Sequence, residues 1–390
     1  MLSFENTEVA FSDKTTSQLK KSYWLFWLVK SPALVKMGSL FVGLFNRLRI
    51  PLGWAMKKTV YEHFCGGETL EESALAMNQL ADFNIKAVLD YAAEGIESEK
   101  EFDEARDRII DSIEMSRSNE NIAFAVFKLT GIAPFALLEK LNASKTLTKK
   151  EKKQWTQVKN RADEICRKAS QNNLSVMIDA EETWIQDTVD QLVEELMEKY
   201  NREKPVVYHT LQLYRIDKLF NLKRIFVTAR EKGFVPGFKL VRGAYMEKER
   251  KRALKYGYAS PIHPDKEATD AAFNEAVRFC LENVEELAVC IGTHNEDSCS
   301  LAVDIMAERG IAAHHKHVHF SQLKGMSDHI SYNLSAHGYN VSKYLPYGPL
   351  KVVIPYLIRR AEENTSVAGQ TGRELFLLKK ELKRRNELKN

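Results

Sequence analysis

The chain has 390 residues, of which 44% are hydrophobic and 28% are charged, and its net charge is +4. That length and apolar content suffice for one large core or for two ordinary domains. So small a net charge over this length argues against nucleic-acid binding. The five cysteines, an odd number without a C-x-x-C pair, favour a reduced, cytoplasmic compartment over a disulfide framework.

No acidic residue lies between Asp13 and Glu62, and this stretch is rich in lysine, arginine and tryptophan. Its charges are too frequent for a spanning helix, which needs ~20 largely apolar residues. A basic, aromatic-rich amphipathic segment is typical of contact with an anionic membrane surface. Packing helices with solvated lysines are the alternative. Residues 1–84 are therefore predicted to form an N-terminal helical segment, with residues 14–61 as the candidate membrane contact.

From residue 85 onward, short apolar runs alternate with charged stretches that are long enough for helices. The runs are Ala87–Tyr91, Ile122–Leu129, Leu174–Ala180, Val206–Leu211, Gly237–Val241, Leu287–Gly292, Lys316–Phe320 and Tyr339–Tyr344. Continuous apolar runs are typical of parallel strands that are buried on both faces. Eight of them predict an α/β fold, a (β/α)8 TIM-type barrel over residues 85–390.

Two charged regions lie outside this strand pattern. Residues 142–173 carry a run of lysines and are predicted to form an exposed helix pair, because a charge run usually marks a solvated face. Residues 372–390 are basic and amphipathic and predict a C-terminal helix.

Polar residues recur where the predicted strands end. They are Lys128, Asp179, Gln212, Arg242, Thr293 with His294 and Asn295, and Tyr344. In a barrel of this type the reactive groups lie at the carboxyl ends of the strands. One polar residue after a strand means little, but the recurrence predicts an active site at that end.

The segment after the last predicted strand contains Tyr356, Arg359, Arg360 and Glu363 at helical spacing i, i+3, i+4 and i+7. Two adjacent arginines can bind one carboxylate through forked hydrogen bonds. Glu363 lies one turn beyond both and is placed to orient them. An ordinary surface ladder of ion pairs is the alternative for this motif taken alone.

Ten ordered segments resemble the proline dehydrogenase family, from about residue 60 to the C-terminus. They are residues 61–69, 89–95, 127–130, 178–182, 212–214, 239–245, 293–295, 320–326, 344–348 and 356–364. The most specific are Leu-Val-Arg-Gly-Ala-Tyr, at residues 240–245, and the helix with the arginine pair. The resemblance implies a flavoprotein that oxidises L-proline to 1-pyrroline-5-carboxylate by hydride transfer to FAD.

The resemblance also implies roles for individual residues. Lys239, Asp179 and Tyr245 form the predicted catalytic group. The substrate-binding residues are Lys128, Arg359 and Arg360 for the carboxylate, and Leu240, Tyr344 and Tyr356, together with Tyr245, for the ring. The cofactor-binding residues are Gln212, Arg242, Gly243, Ala244, Thr293, His294, Asn295 and Glu363. Lys239 occupies a position where several bacterial members have arginine. Lysine keeps the positive charge but lacks the paired N–H donors of a guanidinium group.

Further expectations concern specificity and electron transfer. The bulky phenol of Tyr344 is predicted to crowd a 4-hydroxyl group and to make hydroxyproline a poor substrate. The resemblance implies a quinone in the membrane as electron acceptor. The protein is expected to be a single-activity enzyme of the bacterial type. Because its acceptor would lie in the membrane, it is expected to be cytoplasmic and peripheral at the inner face of the cell membrane.

Two other functions compete with this interpretation. His315, His317 and His319 alternate, which predicts one face of a strand and a metal-dependent hydrolase on the same barrel. The resemblance includes no metal. A non-catalytic membrane-binding scaffold is the second alternative, and the retained polar residues argue against it. Cys65 is interpreted as a packed thiol, since no neighbouring base is evident.

Overall fold

The computed structural model describes residues 2–29, 57–92, 96–366 and 370–388. The helices are α1 (Thr7–Ala10), α2 (Thr16–Val29), α3 (Glu62–Phe64), α4 (Leu70–Ala81), α5 (Glu99–Met115), α6 (Phe135–Asn142), α7 (Lys149–Gln171), α8 (Thr183–Tyr200), α9 (Lys218–Lys232), α10 (Met246–Tyr256), α11 (Lys266–Glu282), α12 (Glu296–Glu308), α13 (Asp328–Ala336), α14 (Leu350–Ser366) and α15 (Gln370–Glu387).

Eight strands form a closed barrel in chain order. They are β1 (Ile85–Tyr91), β2 (Ile122–Lys128), β3 (Ser175–Asp179), β4 (Val207–Gln212), β5 (Gly237–Val241), β6 (Ala288–Gly292), β7 (Val318–Leu323) and β8 (Val341–Tyr347). Neighbouring strands from β2 to β7 pair in parallel. This closed barrel confirms the predicted α/β fold. Parallel strands are buried on both faces, and the helices between them cover the outer face.

The predicted strand positions are correct within two residues for β1 to β6, and they are wrong by about three at the ends of β7 and β8. The chain around His315 forms a turn, and β7 starts only at Val318. β8 continues beyond Tyr344 to Tyr347. The pattern of apolar residues does not indicate the turn at His315. The proline at position 346 made the strand appear to end before it, although β8 continues to Tyr347.

The predicted exposed helix pair over residues 142–173 is wrong. Residues 149–171 form the single helix α7, which begins at a capping box of Thr148 and Glu151. One face of α7 is buried through residues such as Val158 and Ile165. The lysines of this region therefore occupy the outer face of a packed amphipathic helix.

The chain divides into two compact units. The central unit comprises residues 88–321, and the terminal unit comprises residues 1–87 and 322–390. The N-terminal segment thus belongs to the same unit as the C-terminal helices. A domain boundary at residue 84 stays a prediction.

In the terminal unit, α15 packs against α2 and α1 around a core that includes Phe11, Phe26 and Leu377. Arg385 of α15 donates to the carbonyl oxygens of Phe11 and Lys14 at 2.8 and 2.7 Å. The Lys14 ammonium in turn forms a 2.6 Å ion pair with Asp328. None of the helices within the described ranges is long and apolar enough to cross a membrane.

Candidate active site

The predicted site residues of the central unit lie at or beside the carboxyl ends of β2 to β6. Lys128 pairs in register with Asp179, and Thr210 pairs with Lys239 on the next two strands. Gln212 ends β4. Residues that pair in register on parallel strands point to the same face, because the pleats of the strands are in phase. Lys128 therefore lies beside Asp179, and Thr210 lies beside Lys239.

Lys239 forms a buried ion pair with Asp179. The Lys239 Nζ atom lies 2.6 Å from Asp179 Oδ1, and the exposed fractions of the two side chains are 8% and 13%. The Thr210 hydroxyl donates to the same carboxylate oxygen at 3.2 Å. A cation held so closely within β5, two residues before the strand ends, has a fixed position.

The Lys128 ammonium lies beside carboxylates from the neighbouring strand exits. Its Nζ atom is 3.6 Å from Oδ2 of Asp90, whose side chain is 2% exposed. The turn that follows Lys128 is bound by Glu181, which accepts hydrogen bonds from the backbone N–H and the hydroxyl of Thr130 at 3.1 and 2.5 Å. Lys128 is therefore a cation in a largely buried, polar environment.

Arg242 connects the ends of β5 and β6. Its guanidinium donates to Asp270 at 2.7 Å, to the Thr293 hydroxyl at 2.6 Å and to Ser298 at 2.9 Å. Its carbon lies 4.3 Å from the centroid of the Phe273 ring. These contacts fix the loop after β6 relative to the end of β5.

Asn295 is the N-cap of α12, where its side chain accepts from the Ser298 N–H at 2.8 Å. Its own N–H donates to the Thr293 hydroxyl oxygen at 3.2 Å. His294, between these two residues, is half-buried. Residues 293–295 therefore form an ordered turn that leads into a helix.

The loop after β5 depends on Gly243. Its φ angle is +134°, and a Cβ atom there would lie 2.5 Å from the Tyr214 ring. Ala244 and Tyr245 follow as half-buried residues. Leu240 is fully buried, but successive strand residues point to opposite faces, so it does not share the face on which Lys239 contacts Asp179. Its contact with the substrate ring stays a prediction.

In the terminal unit, the arginine pair lies on α14 as the helical spacing predicted. The guanidinium carbons of Arg359 and Arg360 are 6.0 and 5.3 Å from the centroid of the Tyr356 ring. Tyr356 and Tyr344 are both buried. The side chain of Glu363 lies outside the described part of the structure.

The histidines of the predicted metal site do not share a strand face. His315 and His317 precede β7, and the Nδ1 atom of His317 lies 2.8 Å from the Val284 carbonyl oxygen. The His319 ring packs edge-on against Phe124, with centroids 5.1 Å apart. No group of three or more His, Cys, Asp or Glu residues in the described ranges could hold a metal ion.

Thr130 and Glu181 lie in two of the segments that resemble the family, residues 127–130 and 178–182, but the sequence alone predicted no role for either residue. Glu181 is 4% exposed, and burial raises its pKa to about 7, an effect that the Thr130 hydrogen bonds and Lys128 oppose. An acidic residue two positions beyond the end of a buried strand was the signal that could have identified it. All five cysteines are buried, and Cys65 is packed as predicted.

The residues fit a bound flavin in one testable respect. The side-chain oxygen of Gln212 is a buried acceptor with no hydrogen-bond donor among the described residues, and Gln212 is 2% exposed. An unsatisfied buried acceptor costs about 1–3 kcal/mol unless a ligand or water donates to it. The isoalloxazine ring and the ribityl chain of FAD both carry such donors.

Comparisons with known proteins agree with this fold and identify its family. The sequence model of a family described as proline dehydrogenase matches residues 74–373. Proline dehydrogenase 1, mitochondrial, of Dictyostelium discoideum is 29% identical, over 97% of this chain and 74% of its own. Hydroxyproline dehydrogenase of Xenopus laevis is 32% identical, over 97% of this chain and 90% of its own.

A solved structure also has the same fold. It is proline utilization A from Bdellovibrio bacteriovorus inactivated by N-propargylglycine, with a TM-score of 0.71 and 19% identity. The alignment covers 92% of this chain and 38% of that chain, so this protein spans little more than a third of its length. On the family match, the protein belongs to the proline dehydrogenase family.

Proposed function

We propose that this protein oxidises L-proline to 1-pyrroline-5-carboxylate with FAD as the hydride acceptor. Family membership and the relative named proline dehydrogenase support the substrate. The observation that carries the proposal is the buried polar row near the carboxyl ends of the strands, in which Lys128 aligns with Asp179 and Thr210 with Lys239. When bound, FAD supplies the two-electron acceptor.

Proline is a small zwitterion with an apolar ring, and each part requires a different kind of side chain. We assign its carboxylate to Lys128 and to Arg359 and Arg360 of α14, since paired guanidinium groups bind carboxylates in a forked geometry. Tyr344, Tyr356 and Tyr245 provide apolar faces for the ring.

Lys239 and Asp179 are assigned to the cofactor side of the reaction. A lysine held by an aspartate at 2.6 Å is a fixed positive charge, which favours a ligand that becomes more negative on reduction. Gln212, Arg242 and residues 243, 244 and 293–295 form the proposed cofactor-binding set, and Glu363 is included on the resemblance alone.

An anaerobic visible spectrum of the purified protein, recorded before and after addition of L-proline, tests both the cofactor and the reaction. We expect a flavin spectrum that bleaches on addition of proline, with pyrroline-5-carboxylate trapped as product. A protein that stays colourless and inactive after reconstitution with FAD would overturn the proposal.

Hydroxyproline is the second candidate substrate, because the hydroxyproline dehydrogenase of Xenopus laevis aligns over nearly the whole chain. Tyr344 favours proline, since a buried phenol crowds a substituent at C4. Initial rates of flavin reduction with the two imino acids distinguish them. We expect kcat/KM to be at least about tenfold higher for proline, in line with the discrimination that one crowded group gives. Equal values would contradict the role of Tyr344.

We propose a membrane quinone as the electron acceptor, reached from the membrane surface through α2. Trp24, Trp27 and Leu28 on this helix are 61%, 48% and 47% exposed. The Trp24 and Trp27 rings lie edge-to-face at 5.4 Å, beside the exposed lysines 20 and 21. Tryptophan with lysine on one surface is typical of helices that lie in the membrane interface.

Flotation with anionic liposomes tests this contact. The double variant Trp24→Ser, Trp27→Ser is preferable to an N-terminal truncation, because a truncation would also remove Lys14 from its ion pair with Asp328. Phe220→Ser is the matched control, since Phe220 on α9 is 70% exposed. We expect the double variant to lose flotation and the control to keep it. Equal flotation of all three proteins would contradict the contact.

A further inference from the structure

The segment from the last residue of β3 to the first residue of α8, residues 179–183, contacts elements on both sides of it in the chain. Three of its polar side chains bind elements later in the chain. The pairs are Asp179 with Lys239, Glu182 with Lys248, and Thr183 with Glu249, whose carboxylate accepts from the Thr183 N–H and hydroxyl at 2.8 and 2.7 Å. The segment is therefore held by β5 and α10.

Glu181 contacts an element earlier in the chain. Both of its carboxylate oxygens are bound to Thr130, through the Thr130 backbone N–H at 3.1 Å and the Thr130 hydroxyl at 2.5 Å. The backbone N–H of Glu181 donates to the Gln186 side-chain oxygen at 2.6 Å. Thr130 thus fixes the carboxylate and Gln186 fixes the backbone of Glu181, which is 4% exposed.

Thr130 lies in the short 3-10 turn Leu129–Gly131, and Lys128 is the residue that precedes this turn. The two Thr130 hydrogen bonds therefore fix the backbone directly beyond Lys128. Lys128 has a long, flexible side chain, whose Nζ atom is 3.6 Å from Asp90 on the other side. Holding such a side chain in one place requires a fixed backbone, since ordering its many rotamers costs conformational entropy.

We propose that Glu181 is a positioning residue for substrate binding: acting through Thr130, it fixes the turn after β2 and so places the Lys128 ammonium where the substrate carboxylate binds. This inference rests on the proposed function, in which Lys128 binds the carboxylate of proline. Glu181 itself touches neither the substrate nor the cofactor in this assignment.

The electrostatics of Glu181 agree with a residue held for its geometry. Burial and the neighbouring Glu182 raise the pKa of Glu181, Thr130 and Lys128 oppose this rise, and the resulting pKa is about 7. A carboxyl group whose folded pKa lies above its ordinary value of 4.5 destabilises the fold as the pH rises from 4.5 through 7. The fold retains this unfavourable group against the turn that follows Lys128.

Steady-state kinetics of the FAD-loaded full chain with L-proline test the proposal. We expect Glu181→Ala and Thr130→Val each to raise KM about tenfold with little change in kcat, because carboxylate binding is weakened and the reacting atoms are not touched. Thr130→Ser keeps the hydroxyl and should restore the wild-type KM. Glu195→Ala, an exposed glutamate of α8, is the matched control.

A double-mutant cycle with Lys128→Met separates positioning from a general structural effect. If Glu181 acts through Lys128, Glu181→Ala raises KM in the wild-type background and causes no further rise in the Lys128→Met background. Equal, additive effects in both backgrounds would overturn the inference while proline oxidation stands. A wild-type flavin that proline does not reduce would overturn the proposed function and this inference together.

A second readout does not depend on activity. Relative to Glu181→Gln, the unfolding free energy of the wild type is expected to fall as the pH rises from about 4.5 to about 7 and to be constant above that. Denaturant unfolding of the two proteins across this range measures the difference. A pH-independent difference would show that Glu181 is not the buried, Thr130-bound group on which the inference depends.

Discussion

Two buried lysine–aspartate pairs lie on opposite faces of β4. The inner pair is Lys239 with Asp179, and Thr210 of β4 donates to it at 3.2 Å. The outer pair is Lys218 with Asp190, and the adjacent strand residue, His209, lies 2.8 Å from the Asp190 carboxylate. Thr210 and His209 are neighbours in sequence and point to opposite faces, as residues of a strand do.

The two pairs share residue types and burial, yet we assign chemistry to only one of them. Asp179 is the last residue of β3, and Lys239 lies two residues before the end of β5, close to the carboxyl ends where reactive groups of such barrels lie. The outer pair joins α8 to α9 and packs them on β4. Burial of an ion pair therefore does not by itself indicate an active site. The position of the pair in the barrel is what distinguishes the two.

The largest effect on stability is expected at the outer pair. Lys218→Met leaves the Asp190 carboxylate with His209 and Gln186 alone, and removal of one partner of a buried pair costs about 3–5 kcal/mol. We expect the unfolding free energy to fall by that amount and kcat per folded molecule to stay unchanged. Denaturant unfolding with parallel kinetics measures both. A loss of kcat in the folded fraction would break the distinction between the two pairs.

The inner pair should respond in activity. Lys239→Met removes the fixed cation and is expected to lower kcat about 10²–10³-fold, the usual effect of removing one charge-stabilising group from an active site. Lys239→Arg keeps the charge and is the matched variant, with a loss of less than tenfold. If Lys239→Met and Lys218→Met had the same kinetics, the assignment of Lys239 to the active site would be wrong.

A smaller change is expected at the hydroxyl that β4 contributes to the inner pair. Thr210→Val removes one hydrogen bond to Asp179 and should cost about 1 kcal/mol of unfolding free energy. Because the ion pair itself remains, kcat should fall by less than about tenfold. Thr210→Ser retains the donor and should match the wild type in both measurements.

The smallest effect concerns pH. Burial opposes ionisation of Asp190, but His209 and Lys218 hold the pKa of its carboxyl well below the ordinary value of 3.8. The stability it contributes is therefore complete above pH 3.8 and lost only as the pH falls below it. Compared with Asp190→Asn, the wild type should keep a constant advantage from pH 7 to pH 4. An advantage that declined within that range would contradict the depressed pKa.

The sequence determined the architecture of the barrel. Continuous apolar runs predicted eight strands, and six of these were placed within two residues, because burial on both faces imposes a local pattern. The helical spacing of Tyr356, Arg359 and Arg360 predicted the shared face that α14 has. These features depend on residues close in the chain, which pattern analysis can read.

Only the tertiary structure decided which charged groups meet. Asp179 and Lys239 are 60 positions apart, and Thr130 and Glu181 are 51 apart, so no local spacing pairs them. The alternation of His315, His317 and His319 predicted that they share one strand face. This was wrong, because the chain turns at His315 and β7 begins only at Val318. Ion pairs and hydrogen bonds depend on distances of about 3 Å, and those distances exist only after the strands have come together.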